Sequence, residues 1–351
     1  MTYVAGKSAE QLRRERGLEG IVKLGSNENP LGPSSKAIAA VQLAAGDMHR
    51  YPDVELGDLR AALAAHLGFD PSRIVVGNGS CDILMILSRT MLRPGDEVVI
   101  SHPAFLMYEI SARLAGAEIV FVEPHDYAYD LDAMAGAVGE RTRIVYVTNP
   151  NNPTGLALDR DDLARFLDRI PASVLVVLDE AYHEFVDSPD AADGRALVSE
   201  GRNVLVTRSF SKIYGLAGMR VGYGFGAPEL IARLAAAQPP FNTGRQALIA
   251  ALAALGDQEH VERSRQVNAE GRAYLTEQLS SLGLRVLSSQ SNHVLIVGLD
   301  DAAAIDDGLQ ARGVIVRPTE ASFGLAGCIR VTIGTRDENE TLLRALAEVL
   351  A

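Results

Sequence analysis

The segment "SFSKIYGLAGMRVGY", residues 209–223, sets Lys212 directly after Ser211, with Ser209 three residues before it and Arg220 eight residues after. A lysine amine can form an imine with an aldehyde. The serine hydroxyls can donate to phosphate oxygens, and an arginine can bind the same phosphate as a planar fork. A lone lysine is most often a solvated charge indifferent to its neighbours, so the grouping gains meaning only if other stretches require the same ligand.

Three stretches bear on that question. "GNGSCD", residues 77–82, follows the apolar "RIVV" and opens the helical pattern "DILMILSRTML". Glycines there let the backbone come close, and free N–H groups at a helix start attract phosphate. The stretch is neither GxGxxG nor a Walker A loop, and an ordinary strand-to-helix turn accounts for it equally well. "VVLDEAY" ends an apolar run on Asp179, with Tyr182 three residues later. A structural ion pair is one reading of such an aspartate; a carboxylate holding a proton on a heterocyclic nitrogen is the other. "TNPNNPTG", residues 148–155, is punctuated as a loop by Pro and Gly, but it is longer than a simple turn needs. Lysine, phosphate donors and buried carboxylate together imply one ligand, the phosphorylated pyridine aldehyde pyridoxal 5′-phosphate.

The elements that must carry these residues can be read from periodicity. "RIVVGNG", "DEVVISHP", "AEIVFVEP", "TRIVYVTNP", "SVLVVLDEAY" and "NVLVTRSFS" alternate with helical patterns. Continuous apolar runs of this length suit strands covered on both faces, so the expected class is α/β, a mostly parallel sheet flanked by helices. Ligands in such sheets gather at the carboxyl ends of the strands, where the polar residues above fall. After about residue 243 the pattern turns to alanine-rich and charged helices, then to short strands in "HVLIVGL", "GVIVRP" and "CIRVTIGT", which predicts a smaller α+β domain. The expected division is an arm over residues 1–32, a large domain over 33–243 and a small one over 244–351.

Bulk properties remove other classes. Across 351 residues, 45 Asp and Glu stand against 33 Lys and Arg, which argues against a nucleic-acid partner. The N-terminal stretch lacks the apolar core of a signal peptide, and no run approaches a membrane span; the expectation is a cytoplasmic protein. Cys81 and Cys328 are the only cysteines, far apart and in no ligand pattern, and the seven histidines form no HExxH, so neither a disulfide framework nor a catalytic metal is expected.

The order of motifs "YVAGKS", "KLGSNENPLGPS", "RYPD", "GNGS", "NPNNPTG", "LDEAY", "SFSKIYGLAGMRVGY", "VIVRP" and "IRVTIGTRDEN" resembles the fold-type I pyridoxal-phosphate aminotransferases, and within them the histidinol-phosphate aminotransferase group, over essentially the whole chain. The resemblance implies that Lys212 is the internal imine lysine and proton carrier, that Asp179 keeps the pyridine nitrogen protonated, and that Asn152 and Tyr182 hydrogen-bond the ring's phenolic oxygen. Phe105 matches the ring-stacking position, usually tyrosine. Ser80, Cys81, Ser209, Ser211 and Arg220 match the phosphate site, with Tyr51 reaching it from a second subunit, which implies a homodimer with shared sites.

Arg330 and Arg317 match arginines that bind the substrate's anionic group, and Tyr3 from the partner's arm is the expected third contact. Asn152 is expected to face substrate as well. The implied activity is exchange of an amino group between L-histidinol phosphate and 2-oxoglutarate through alternating pyridoxal and pyridoxamine phosphate. Transamination of phenylalanine or tyrosine is the alternative, with decarboxylases and oxidases on the same scaffold behind it. The group's usual Ser/Ala-Asp-Glu after the glycines is here Ser80-Cys81-Asp82, a departure that bears on the substrate side. Aminotransferase-like domains also serve as ligand sensors in transcription regulators, a class the acidic balance disfavours.

Overall fold

The computed structural model describes residues 6–351. Its central sheet is built from β1 (Ile74–Gly77), β2 (Glu97–Ser101), β3 (Glu118–Val122), β4 (Thr142–Thr148), β5 (Leu175–Asp179), β6 (Val204–Ser209) and β7 (Gly222–Phe225). The spatial order is β1-β7-β6-β5-β4-β2-β3, and only β7 pairs antiparallel to its neighbours. The six predicted runs are the six strands that share one direction. Their unbroken apolar character follows from the packing: Val145, Val147, Val176 and Val206 bury into one core, while Ile144, Tyr146, Val177 and Leu205 bury into another on the opposite face. A strand with two buried faces has no solvated side to make polar. β7 reads "GYGF" and gives no such signal, because its glycines lie where neighbouring backbone comes close.

Residues beyond β7 form the helices Pro228–Ala236, Arg245–Leu255 and Gln258–Ser281. The composition shifts near residue 243, whereas packing does not: Ala247, Ala250, Ala251 and Ala254 belong to the same core as β4–β6. A second, antiparallel sheet has the order β10-β11-β9-β8, from β8 (Arg285–Val286), β9 (His293–Val297), β10 (Arg317–Pro318) and β11 (Ile329–Thr332). It packs against the helices Gln258–Ser281 and Arg336–Leu350 through Leu275, Leu279, Val294, Val331, Leu342 and Leu346. Near the N-terminus, Val22–Lys23 pairs in parallel with Val314–Ile315 as a separate two-stranded sheet, and the Leu24 carbonyl accepts the Thr332 N–H of β11 at 2.7 Å, which fastens the first part of the chain beside the second sheet and brings Gly25–Asn27 to the cavity described below. No helix among the described residues is long and apolar enough to cross a membrane.

Candidate active site

The parallel strands end in register, with Thr148 opposite Asp179 and Asp179 opposite Thr207. Their carboxyl ends open on a cavity of about 240 Å³ that Lys212, Asp179, Tyr182, Arg220, Arg317 and Arg330 line together. Ser80, Cys81, Phe105, Asn152, Ser209 and Ser211 also face it. Residues that are far apart in sequence thus meet at the strand ends.

At the lysine, Nζ lies 3.4 Å from the Ser26 carbonyl and 5.6 Å from the centre of the Tyr182 ring. Burial, and then the positive charge of Arg330, bring its pKa from 10.5 down to about 8. Asp179 is 3 % exposed. It accepts the Tyr108 hydroxyl at 2.8 Å and the Ala181 N–H at 3.2 Å, while burial pushes its pKa up. A carboxylate so placed, with no arginine or lysine bonded to it among the described contacts, calls for a cationic partner from outside the chain. The salt-bridge reading of Asp179 does not hold, because the structural ion pair belongs to its neighbour Glu180, which binds Arg208 at 2.7 Å.

Ser80 begins the helix Ser80–Met91, and its N-terminal end faces the cavity. Gly79 has φ +84°, and a Cβ there would stand 2.6 Å from Arg220 Nη2; a Cβ on Gly222 would stand 2.5 Å from the Ser80 nitrogen. Side chains at these two positions would fill the space between helix start and guanidinium. Arg220 itself holds a left-handed backbone (φ 53°), and its Nη1 donates to Ser211 Oγ at 3.1 Å and to the Ala217 carbonyl at 3.0 Å. Non-glycine residues adopt that conformation where surrounding structure enforces it, often at functional sites. Ser209 Oγ accepts the Ser211 N–H at 3.0 Å. Helix start, hydroxyls and guanidinium together form an anion cradle, with an amine and a buried carboxylate on the same cavity. This donor set fits a phosphorylated pyridine aldehyde. The Cys81 thiol is pushed up by burial and then by the charge of Asp179, so it stays protonated.

Arg317 and Arg330 sit directly opposite each other in the antiparallel pair of β10 and β11, and both are buried. Arg330 donates to Asn152 Oδ1 at 2.6 Å and to the Gly25 carbonyl at 2.7 Å, which turns the Asn152 amide so that Nδ2 is its donor. Phe105 meets Tyr108 edge-on at 5.7 Å. Tyr51 is not at the cavity: it is 77 % exposed and stacks on Phe241 at 4.4 Å. Tyr3 lies outside the described residues, while Gly6 lies against this chain's own Arg317.

Sequence reasoning passed over Asn27, Tyr108 and His293. Asn27 lies inside "LGSNENPLG", within the expected N-terminal arm, and Tyr108 lies three residues beyond Phe105, in the helix Met107–Leu114. His293 was an isolated histidine in an apolar strand, and no spacing rule singles it out.

A doubly covered parallel sheet with lysine, carboxylate and anion cradle at its strand ends is the architecture of a pyridoxal-phosphate-type transferase, and comparison with known families specifies it. Residues 19–346 match the family described as aminotransferase class I and II, and the chain belongs to that family. Relatives include the histidinol-phosphate aminotransferase of Moorella thermoacetica, 46 % identical over 99 % of this chain and 90 % of its own. That of Symbiobacterium thermophilum is 44 % identical over 99 % and 96 %. Among solved structures, histidinol-phosphate aminotransferase from Sinorhizobium meliloti in complex with pyridoxal-5′-phosphate superposes with a TM-score of 0.91 at 32 % identity, covering 99 % of this chain and 95 % of that one. Aspartate aminotransferase from Thermus thermophilus with maleate gives 0.83 at 27 % identity, covering 97 % and 94 %.

Proposed function

We propose that this aminotransferase moves an amino group between L-histidinol phosphate and 2-oxoglutarate, with pyridoxal 5′-phosphate held by Lys212 and by the cradle of Ser80, Cys81, Ser209, Ser211 and Arg220. The observation that carries the substrate assignment is the register that sets Arg317 opposite Arg330. A phosphate ester carrying up to two charges suits a pair of guanidinium groups. The names of the relatives support the same reading.

The bound cofactor supplies an electron-withdrawing ring that takes up electrons when the substrate's Cα–H bond breaks. Lys212, with its pKa near 8, has a substantial neutral fraction near pH 7.5 and would take up that proton and return it two atoms along. Asp179 would hold the proton on the ring nitrogen, Tyr182 and Asn152 would donate to the phenolic oxygen, and Phe105 would cover a ring face. Arg317 and Arg330 draw the substrate's anionic end to the far side of the cavity, and Arg330 at the same time orients Asn152.

We also infer a homodimer and a cytoplasmic location. Leu43, Met48, Tyr51 and Val54 are exposed apolar side chains within twelve residues of sequence, a concentration that marks an association surface. Tyr51, which does not line its own cavity, is assigned to a partner's cavity, and Tyr3 to the substrate's anionic end.

The test is single-turnover spectroscopy of the holoenzyme with histidinol phosphate, glutamate, phenylalanine and tyrosine separately. Fast reaction with the first two is expected. Arg317→Gln should raise the histidinol phosphate concentration needed by about 10–100-fold, the worth of a charge-assisted contact. A wild-type preference for phenylalanine or tyrosine would replace this assignment with an aromatic aminotransferase.

A further inference from the structure

Beside Tyr182, with Asn27 itself on the cavity wall, lies a buried polar relay that the chemistry above does not use. Asn27 is 1 % exposed with φ 53°, and its backbone is pinned at both ends: its N–H donates to Thr332 Oγ1 at 2.9 Å, and its carbonyl accepts Asn292 Nδ2 at 3.0 Å. Its Oδ1 accepts the Thr332 hydroxyl at 3.1 Å. Its Nδ2 is 3.0 Å from Tyr182 Oη and 3.0 Å from His293 Nδ1. His293 has no exposed surface and meets the Tyr182 ring edge-on at 5.2 Å.

The two hydrogens on Asn27 Nδ2 match two acceptors only if His293 Nδ1 carries no proton. In the reverse arrangement, with a proton on Nδ1, the amide turns its oxygen toward both groups, and the tyrosine proton is drawn back to Asn27, away from the cavity. The far end of the amide holds the first arrangement: Thr332 Oγ1 accepts the Asn27 N–H and donates its own proton to Asn27 Oδ1, which leaves Nδ2 facing Tyr182 and His293. Burial, and then the cationic Arg330 and Lys212, hold the ring well below the usual histidine range and so neutral. Ser291 Oγ, 3.0 Å from Nδ1, can donate to the same lone pair.

We propose that His293, as the Nε2–H tautomer, acts through Asn27 as a positioning residue that makes Tyr182 Oη an acceptor on its buried side, leaving the hydroxyl proton to point into the cavity. The proposal rests on the reading of that cavity as the pyridoxal phosphate site, where the proton would meet the cofactor's phenolic oxygen. A donor there favours the form in which that oxygen carries its full negative charge, so weakening it raises the pH at which the cofactor's visible band changes.

Three holoenzyme variants separate this role from packing. His293→Asn places an acceptor where Nδ1 sits, His293→Gln places one where Nε2 sits, and His293→Phe keeps only the ring. In a pH titration of the visible band without substrate, the Asn variant should follow wild type, while the Gln and Phe variants should shift upward by about one pH unit. An Asn variant that shifts as far as the Phe variant, or three variants that all match wild type, would overturn the proposal. Imidazole nitrogen shifts of wild-type protein labelled with ¹⁵N-histidine supply a readout independent of variant folding. A protonated Nδ1 on His293 overturns the proposal; a protonated Nε2 supports it. Failure of wild type to hold pyridoxal phosphate would undo the reading of the cavity and leave the tautomer result standing.

Discussion

Replacing Lys212 by methionine should abolish turnover and make the cofactor-free protein more stable at neutral pH. The amine titrates at about 8 in the fold, against 10.5 for an ordinary lysine. Below pH 8 the folded chain must either bury an ammonium or release its proton, and the unfolded chain does neither. At 1.36 kcal/mol per pH unit this costs roughly 3 kcal/mol; because Lys212 lines an open cavity that solvent enters, roughly 2 kcal/mol is the safer expectation. The sign follows from linkage: the unfolded state binds more protons between pH 8 and 10.5, so stability from this group rises with pH across that window. The penalty is fully present below about pH 8 and gone above 10.5. Lys212→Met should therefore exceed wild type by roughly 2 kcal/mol at pH 7 in urea unfolding of the two cofactor-free proteins at equal concentration, with the gap closing by about pH 10.5. A variant no more stable at pH 7, or a gap that ignores pH, would refute the account of Lys212 as a desolvated amine.

Two further changes test the supports of the site. Tyr108→Phe removes a donor from the buried carboxylate of Asp179. A hydrogen bond to a charged group is worth about 1.5–3 kcal/mol, so the Asp179 pKa, already raised by burial, should climb by a further one to two pH units. Cofactor affinity measured by equilibrium dialysis should then fall away at a correspondingly higher pH on the acid side; an unmoved acid limb would remove Tyr108 from the mechanism. Arg208→Met strips the partner from Glu180, which is fully buried and bound at 2.9 and 2.7 Å by the Arg208 Nε and Nη2. Leaving that carboxylate unpaired should cost about 3–5 kcal/mol in urea unfolding, and a loss under about 1 kcal/mol would mean that His183, 3.8 Å from Glu180, or water takes over from the guanidinium.

Local chemistry and periodicity were enough to announce the α/β class, the six parallel strands and the polar residues at their ends. A strand buried on both faces must be apolar throughout, and a strand end that carries function must break that run, so both signals are written in consecutive residues. The chemistry of Lys212, Ser209, Ser211 and Arg220 was legible for the same reason, since all four fall within twelve residues. β7 was not legible, because its glycines answer to the backbone of neighbouring strands and of Ser80 rather than to a periodicity of their own. The alanine-rich helix Arg245–Leu255 likewise follows a change in composition and yet packs in the first core, since small side chains suit close packing in either place. Only the tertiary structure set Arg317 opposite Arg330, because register is a relation between strands. It alone also brought Asn27 and His293, 266 residues apart, to the side of Tyr182, where a proton's position depends on groups that no short stretch of sequence contains.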